Sequence, residues 1–161
     1  MVDKLSALER SRNMASIRSK DMKPELAVRK LAHALGFRFR LHRKDLPGKP
    51  DLVFPKFRAV IFVHGCFWHQ HDDPRCLDGR APKSNLDYWG PKLARNLERD
   101  ASSRAMLERQ GWRSLVIWEC ETKDARALAT KIAGFLNSAA ENEIATTLAP
   151  ASPERRRDLC P

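Results

Sequence analysis

Residues 64–84, HGCFWHQHDDPRCLDGRAPKS, constrain this chain more than any other segment. They have neither the period of a helix nor the alternation of a strand, and they follow the apolar run Ala59–Val63 directly. A connection this long in a small domain needs something other than apolar burial to pin it. The same segment carries three of the five histidines and two of the four cysteines.

The spacing of those residues supplies the pin. Four residues separate Cys66 from His71, four more separate His71 from Cys76, and 43 separate Cys76 from Cys120, which follows a strand-like run. Two thiolates and an imidazole from one loop, closed by a thiolate from the core, make a Cys3His set suited to structural zinc (Zn2+). Four protein ligands leave no position for a reacting water, so this metal would staple the loop. The simpler alternative is unrelated thiols acting as small buried apolar groups, as Cys120 could on its strand. Cys160, in an aperiodic stretch, reads as an incidental thiol. The start MVDKLSALERSRNM is charged from its third residue and has no apolar core, so secretion is not expected. A soluble, cytoplasmic protein follows, in which cysteines serve metal more readily than disulfides.

The rest of the chain fits one domain of helices and short strands. Residues 4–18 read as a basic helix or arm. A helix begins at Pro24 and ends at Gly36, with Leu26, Val28, Leu31 and Leu35 as its buried stripe. Phe37, Phe39 and Leu41 alternate with Arg38, Arg40 and His42, the pattern of a half-exposed strand. After the turn RKDLPGKP, residues 51–54 and 59–63 form adjacent antiparallel strands. A long helix covers about 87–109 and stops at Gly111; residues 112–118 form a strand and 123–137 an amphipathic helix. The stretch from about 148, rich in Pro, Ser and Arg, has no periodicity and reads as disordered. The expected organisation is an arm at 1–20, a domain at 21–140 and a tail at 141–161, with the domain an α/β sandwich around one mixed sheet.

The net charge of +10 is uneven: residues 1–49 hold thirteen Lys or Arg against five Asp or Glu. A polyphosphate is the natural partner of such a surface, because neutralising phosphates releases condensed counterions. A solvated face that only aids solubility is the plainer reading. Against that background, Asp51 opens a buried strand after a Gly/Pro turn, where a hard cation such as magnesium (Mg2+) takes oxygen ligands. His64 ends the next strand, His69 follows five residues on, Glu25 starts a helix, and Asp100 lies on the long one. Carboxylates for a metal and imidazoles for proton transfer are the parts that phosphodiester hydrolysis requires. Taken singly, Asp51 could cap a turn, Glu25 could favour a helix N-terminus, and either histidine could be structural.

The runs LPGKPDLVF, AVIFVHGCFWHQH, LDYWGPKLARNLERD and LERQGWRSLVIWEC together resemble the very-short-patch mismatch repair endonucleases. The resemblance extends from about Arg10 to about residue 138. It implies a nicking enzyme for T:G mismatches left by deamination of 5-methylcytosine, on a restriction-endonuclease-like three-layer fold with a structural zinc site. By the same resemblance Asp51 matches a magnesium-binding aspartate, and position 63 gives the metal a backbone carbonyl. His64 and His69 match active-site histidines, and Glu25 and Asp100 match acidic residues that support them. Cys66, His71, Cys76 and Cys120 match the zinc ligands. Two departures stand out: Val63 replaces the threonine of the best-known members, and Asp72, Asp73 and Pro74 lengthen the loop between His71 and Cys76.

Phe67 and Trp68 are adjacent and apolar in a polar loop, and Trp89 opens the long helix. They could form a small satellite core. Between a metal ligand and an active-site histidine they could instead wedge beside a mismatch, where unstacking costs least. The resemblance implies the wedge, with Met14 of the arm inserting from the other groove beside Arg12 and Asn13. The expected partner is duplex DNA with a T:G mismatch, bound by a monomer associated with the nucleoid and in transient contact with mismatch-repair proteins. Two other readings stay open: a non-catalytic zinc-stabilised DNA-binding module, and a hydrolase whose zinc is itself catalytic.

Overall fold

The computed structural model describes residues 21–147 other than 81 and 84. The arm at 1–20, with Arg12, Asn13 and Met14, lies outside the described residues, as does Cys160.

Helix α1 (Lys23–Ala34) has Pro24 in its first turn, where a missing amide proton costs nothing. Gly36 closes it at φ +87°, with its amide donating to the His33 carbonyl at 3.0 Å and Phe37 donating to Ala32 at 3.1 Å. The buried row differs from the expected leucine stripe. It is Glu25, Val28 and Ala32, while Leu26 and Leu35 are 38% and 39% exposed and Leu31 is only partly buried. The helix is turned to press a carboxylate inward, which is tolerable because Arg29, one turn on, pairs with it.

Four strands form one mixed sheet in the order β1 (Arg40–Leu41), β2 (Leu52–Phe54), β3 (Ala59–His64), β4 (Arg113–Trp118). β1 and β3 both run antiparallel to β2, and β4 runs parallel to β3, with Val63 beside Ile117. The alternation at 37–41 overstated β1. Phe37 and Phe39 precede the two-residue ladder yet still pack edge-on against Phe54, at 6.5 and 5.7 Å between ring centres. Alternation reports which side chains face the core, and core packing does not require a paired backbone.

The parallel β3–β4 pair needs a crossover, supplied by the loop after His64 and helix α2 (Leu86–Arg109). Gly111 ends that helix at φ +74°, as its sequence position suggested. After a 3-10 turn at Glu119–Lys123, helix α3 (Ala125–Thr147) completes the fold. It continues past residue 140, into the segment expected to be a tail, on the helix-favouring Ala and Glu of SAAENEIA.

The pleat of β3 divides the core. Ala59 and Ile61 pack with Leu52 and Phe54 against α1 and α3, through Val28, Ala32, Leu128, Ile132 and Leu136. Val60 and Phe62 face the other way with Val53 and Leu46, against Leu107 of α2. The result is three layers, with α1 and α3 on one face of the sheet and α2 on the other. Truncating a fully buried residue such as Ile61 or Leu107 to Ala should cost about 2–5 kcal/mol. The same alternation brings His64 next to Phe62, ring centres 5.8 Å apart, beneath α2. No helix of the described residues is long and apolar enough to cross a membrane.

Candidate active site and metal cluster

The ends of β2 and β3, the start of α1 and one face of α2 enclose a cleft of about 910 Å³. Glu25, Asp51, Val63, His64, Trp68, His69 and Asp100 all line it, so residues chosen singly from sequence meet in one place.

Asp51 immediately precedes β2. Its Oδ2 accepts the amide proton of Val63 at 2.7 Å, which ties the carboxylate to the end of β3. Oδ1 has no hydrogen-bond partner among the described residues. Burial, with the nearby Glu25 charge adding to it, pushes the Asp51 carboxyl up to about 6 despite the Val63 amide. A buried carboxylate lining the cleft is a hard oxygen donor of the kind that suits a divalent cation.

His69 and Asp100 meet across the cleft, imidazole Nδ1 against carboxylate Oδ2. When Nδ1 donates to Asp100, Nε2 is left as the acceptor nitrogen. Burial raises the Asp100 carboxyl, but the hydrogen bond and charge of His69 outweigh it and hold the group below the ordinary carboxylate value. His64 stacks on His69, with ring centres 3.8 Å apart and planes 14° from parallel. Burial and the neighbouring His69 lower His64 to about 4, so it is neutral at physiological pH. The pair thus divides into a neutral buried imidazole and one oriented by a carboxylate.

The cleft walls are basic. Lys44 and Lys49 come from the turn before β2, and Lys92, Arg99 and Arg104 from α2. The sequence counts Lys44, Lys49 and Arg29 in the basic excess of residues 1–49 but gives neither these cations nor His42 a place at a site. Spacing could have found Arg29, four residues after Glu25 on one helix face, but the alternation that marked His42 as polar said nothing of where it points.

Phe67, Trp68 and Trp89 pack into one cluster. Phe67 meets both tryptophans edge-on at 5.2 Å, and Trp68 lies 5.8 Å from Trp89. Tyr88 extends the cluster, and the Lys92 ammonium lies 5.4–5.7 Å from the centres of Trp68, Tyr88 and Trp89. All three residues singled out by sequence are half-buried, and Trp68 belongs to both the cluster and the cleft.

Behind this cluster, Cys66, His71, Cys76 and Cys120 present ligand atoms all within 4.8 Å of one another. Cys120 Sγ lies 3.4 Å from His71 Nδ1. A tetrahedron with Zn–S near 2.3 Å and Zn–N near 2.0 Å has a mixed edge of about 3.5 Å, so the observed spacing fits such an ion. Local turns build the site. His71 donates its amide to the Cys66 carbonyl at 2.9 Å, and its ring stacks on Trp118 at 4.3 Å. Between His71 and Cys76 the loop is closed by a turn in which Asp73 accepts the Cys76 amide on its carbonyl at 2.8 Å and the Arg75 amide on its carboxylate at 2.9 Å. Gly79 passes so near that a Cβ there would lie 2.6 Å from the His71 carbonyl oxygen. His69, between two members of the cluster, is placed by the same turns; its amide donates to Gly65 at 3.2 Å.

Comparison with known proteins gives a consistent result. Residues 2–75 match the model of the family described as DNA mismatch endonuclease Vsr. The chain is 52% identical over 137 residues to the type II nicking enzyme V.XorIIP of Xanthomonas oryzae pv. oryzae, covering 85% of this chain and 98% of that protein. It is 44% identical over 124 residues to the type II nicking enzyme V.NmeAIP of Neisseria meningitidis, covering 77% of this chain and 86% of that one. It is 37% identical over 128 residues to the DNA mismatch endonuclease Vsr of Escherichia coli, covering 80% of each chain.

Proposed function

As the chain belongs to the Vsr family of DNA endonucleases, we propose that it nicks one strand 5′ to the T of a T:G mismatch, by magnesium-dependent hydrolysis in very-short-patch repair. The observation that carries this reading is the meeting of Asp51 with the His69–Asp100 pair in one basic cleft bordered by the aromatic cluster. The layer order agrees with a restriction-endonuclease-like fold.

In this mechanism Asp51 and the Val63 carbonyl hold the magnesium, which supplies charge stabilisation to the phosphate oxygens. Val63 serves as well as threonine for a backbone carbonyl. His69 takes the proton of the attacking water on Nε2, while Asp100 fixes the ring through Nδ1. His64, neutral beside it, holds a phosphate oxygen as a hydrogen-bond donor. Cys66, His71, Cys76 and Cys120 hold a structural zinc that keeps the His69 loop in shape. Phe67, Trp68 and Trp89 turn from their mutual packing to the base step beside the mismatch, where weak pairing lowers the cost of unstacking. The arm at 1–20, with Arg12, Asn13 and Met14, approaches the opposite groove. The enzyme acts as a cytoplasmic, nucleoid-associated monomer in transient contact with repair proteins.

Nicking of otherwise identical duplexes carrying T:G or T:A at one position, with and without magnesium, tests the reading. Strand-specific nicking of T:G alone, requiring the cation and lost in Asp51→Ala, is expected. DNA binding without any nicking would instead leave a zinc-stabilised binding module.

A further inference from the structure

Four carboxylates line the cleft, and the fold gives three of them partners. Glu25 is held by Arg29 and by the Asp21 amide, Asp51 accepts the Val63 amide, and Asp100 meets His69. Glu119, the first residue after β4, is the fourth. It is exposed, and its carboxylate has neither a hydrogen bond nor an ion pair among the described residues.

Sheet register decides what lies next to it. β3 and β4 run parallel with His64 beside Trp118, so Gly65 and Glu119 leave the sheet side by side. A Cβ on Gly65 would lie 3.2 Å from Trp68 Cδ1 and 3.7 Å from Glu119 Oε2. With only hydrogen at that position, Gly65 floors a notch between the edge of the Trp68 indole and the Glu119 carboxylate. All three residues line the cleft.

An exposed carboxylate is cheaply solvated in water. Once a duplex covers the cleft, the same group faces a polyanion, and losing its water without gaining a donor costs free energy. Phosphates and the keto groups of bases offer acceptors alone. Trp89 and Lys92, which pack around Trp68, are carried by α2, and a helix fits the major groove. The exocyclic donors on that groove's edge are cytosine N4 and adenine N6.

We propose that Glu119 is a specificity-determining residue: beside the Trp68 ring it accepts the exocyclic amino group of a base flanking the mismatch. The notch at Gly65 thereby selects cytosine or adenine at that position, and the unpaired carboxylate rejects guanine and thymine, whose keto oxygens repel it. This rests on the endonuclease reading of the cleft and on Trp68 facing the base step.

Competition nicking tests it, with zinc-loaded full-length protein in magnesium and T:G duplexes whose neighbouring base pairs are randomised. Nicked strands are counted by sequencing. The wild type should favour C or A over G and T at one flanking position, and the leading base identifies which amino group is read. Glu119→Ala should reduce that preference about 5- to 150-fold, leaving the T:G over T:A ratio and the zinc content unchanged. Glu119→Gln, whose amide donates as well as accepts, should admit the keto bases there. Pyrimidin-2-one in place of cytosine, or purine in place of adenine, lacks the amino group. Either should cost the wild type a similar factor and Glu119→Ala nothing further.

A flat wild-type profile, an unchanged profile in Glu119→Ala, or a uniform change at every flank would overturn the proposal. So would a raised magnesium requirement with the profile unchanged, which would make Glu119 a metal ligand. Should Glu119→Ala shed its zinc, Glu119→Gln decides: keto bases admitted at the one position support the proposal, and an unaltered profile overturns it. Absence of T:G nicking by the wild type would instead sink the endonuclease reading itself, an outcome distinct from a flat profile.

Discussion

Asp100 of helix α2 and His69 of the loop after β3 meet through carboxylate Oδ2 and imidazole Nδ1, although 31 positions separate them in the chain. The contact fixes which nitrogen of His69 faces the cleft. Asp100→Asn keeps the shape and removes the charge, so the single-turnover nicking rate should fall by about 10²–10⁴ with little change in DNA affinity. A rate within a few-fold of wild type would remove His69 from the role of base.

Asp51 links function to stability. Its carboxyl stands at about 6 in the folded chain against an ordinary value of 3.8. A raised folded value means that the native state favours the protonated form: the associated stabilisation is complete below about 4 and lost as pH rises through about 6. Above that, ionising Asp51 without a cation costs roughly 3 kcal/mol. In zinc-loaded, magnesium-free buffer, Asp51→Asn should therefore raise urea stability at pH 8 by up to about 3 kcal/mol and leave it near wild type at pH 4. Equal stabilisation at both pH values would contradict the assignment.

Breaking the Cys3His set, the proposed zinc site, should silence the nuclease at a distance. If the Cys3His set holds the proposed zinc, Cys120→Ser removes one of its four ligands, and the loop that positions His69 loses its closure to the core. Zinc content measured by mass spectrometry should fall, and nicking should drop about tenfold or more even in saturating magnesium. Full activity in a zinc-free variant would make the cluster dispensable.

Trp68 bridges the aromatic cluster and the cleft. If its ring stacks on DNA at the mismatch, Trp68→Ala forfeits about 1–3 kcal/mol of stacking, and the T:G over T:A nicking ratio should fall about 5- to 150-fold. Zinc should stay bound. An unchanged ratio returns Trp68 to a packing role.

Arg104 lines the cleft and has no acidic partner among the described residues. Neutralising a DNA phosphate there would release one counterion. Arg104→Ala should weaken binding equally for matched and mismatched duplexes and lower the slope of log affinity against log salt by about 0.9. A slope identical to wild type would mean that Arg104 faces only solvent.

The sequence by itself singled out Cys66, His71, Cys76 and Cys120 as one possible metal-ligand set, from ligand chemistry and loop length, and the fold brings their ligand atoms within 4.8 Å of one another. It also determined the β2–β3 pairing and the helix ends at Gly36 and Gly111, which follow from apolar runs and from residues able to adopt positive φ. Asp51, His64 and His69 were legible as chemically able groups within one short window. Their working relations were not. Which face of α1 turns inward was decided by the Glu25–Arg29 pair, whose burial no hydrophobic periodicity encodes. The two-residue β1 came from core packing that binary alternation cannot separate from strand pairing. The fixing of His69 by Asp100, the tie from Val63 to Asp51 and the guanidinium beside Glu25 join residues on different elements. Such contacts are set by how layers stack, and that information appears only once the chain has folded.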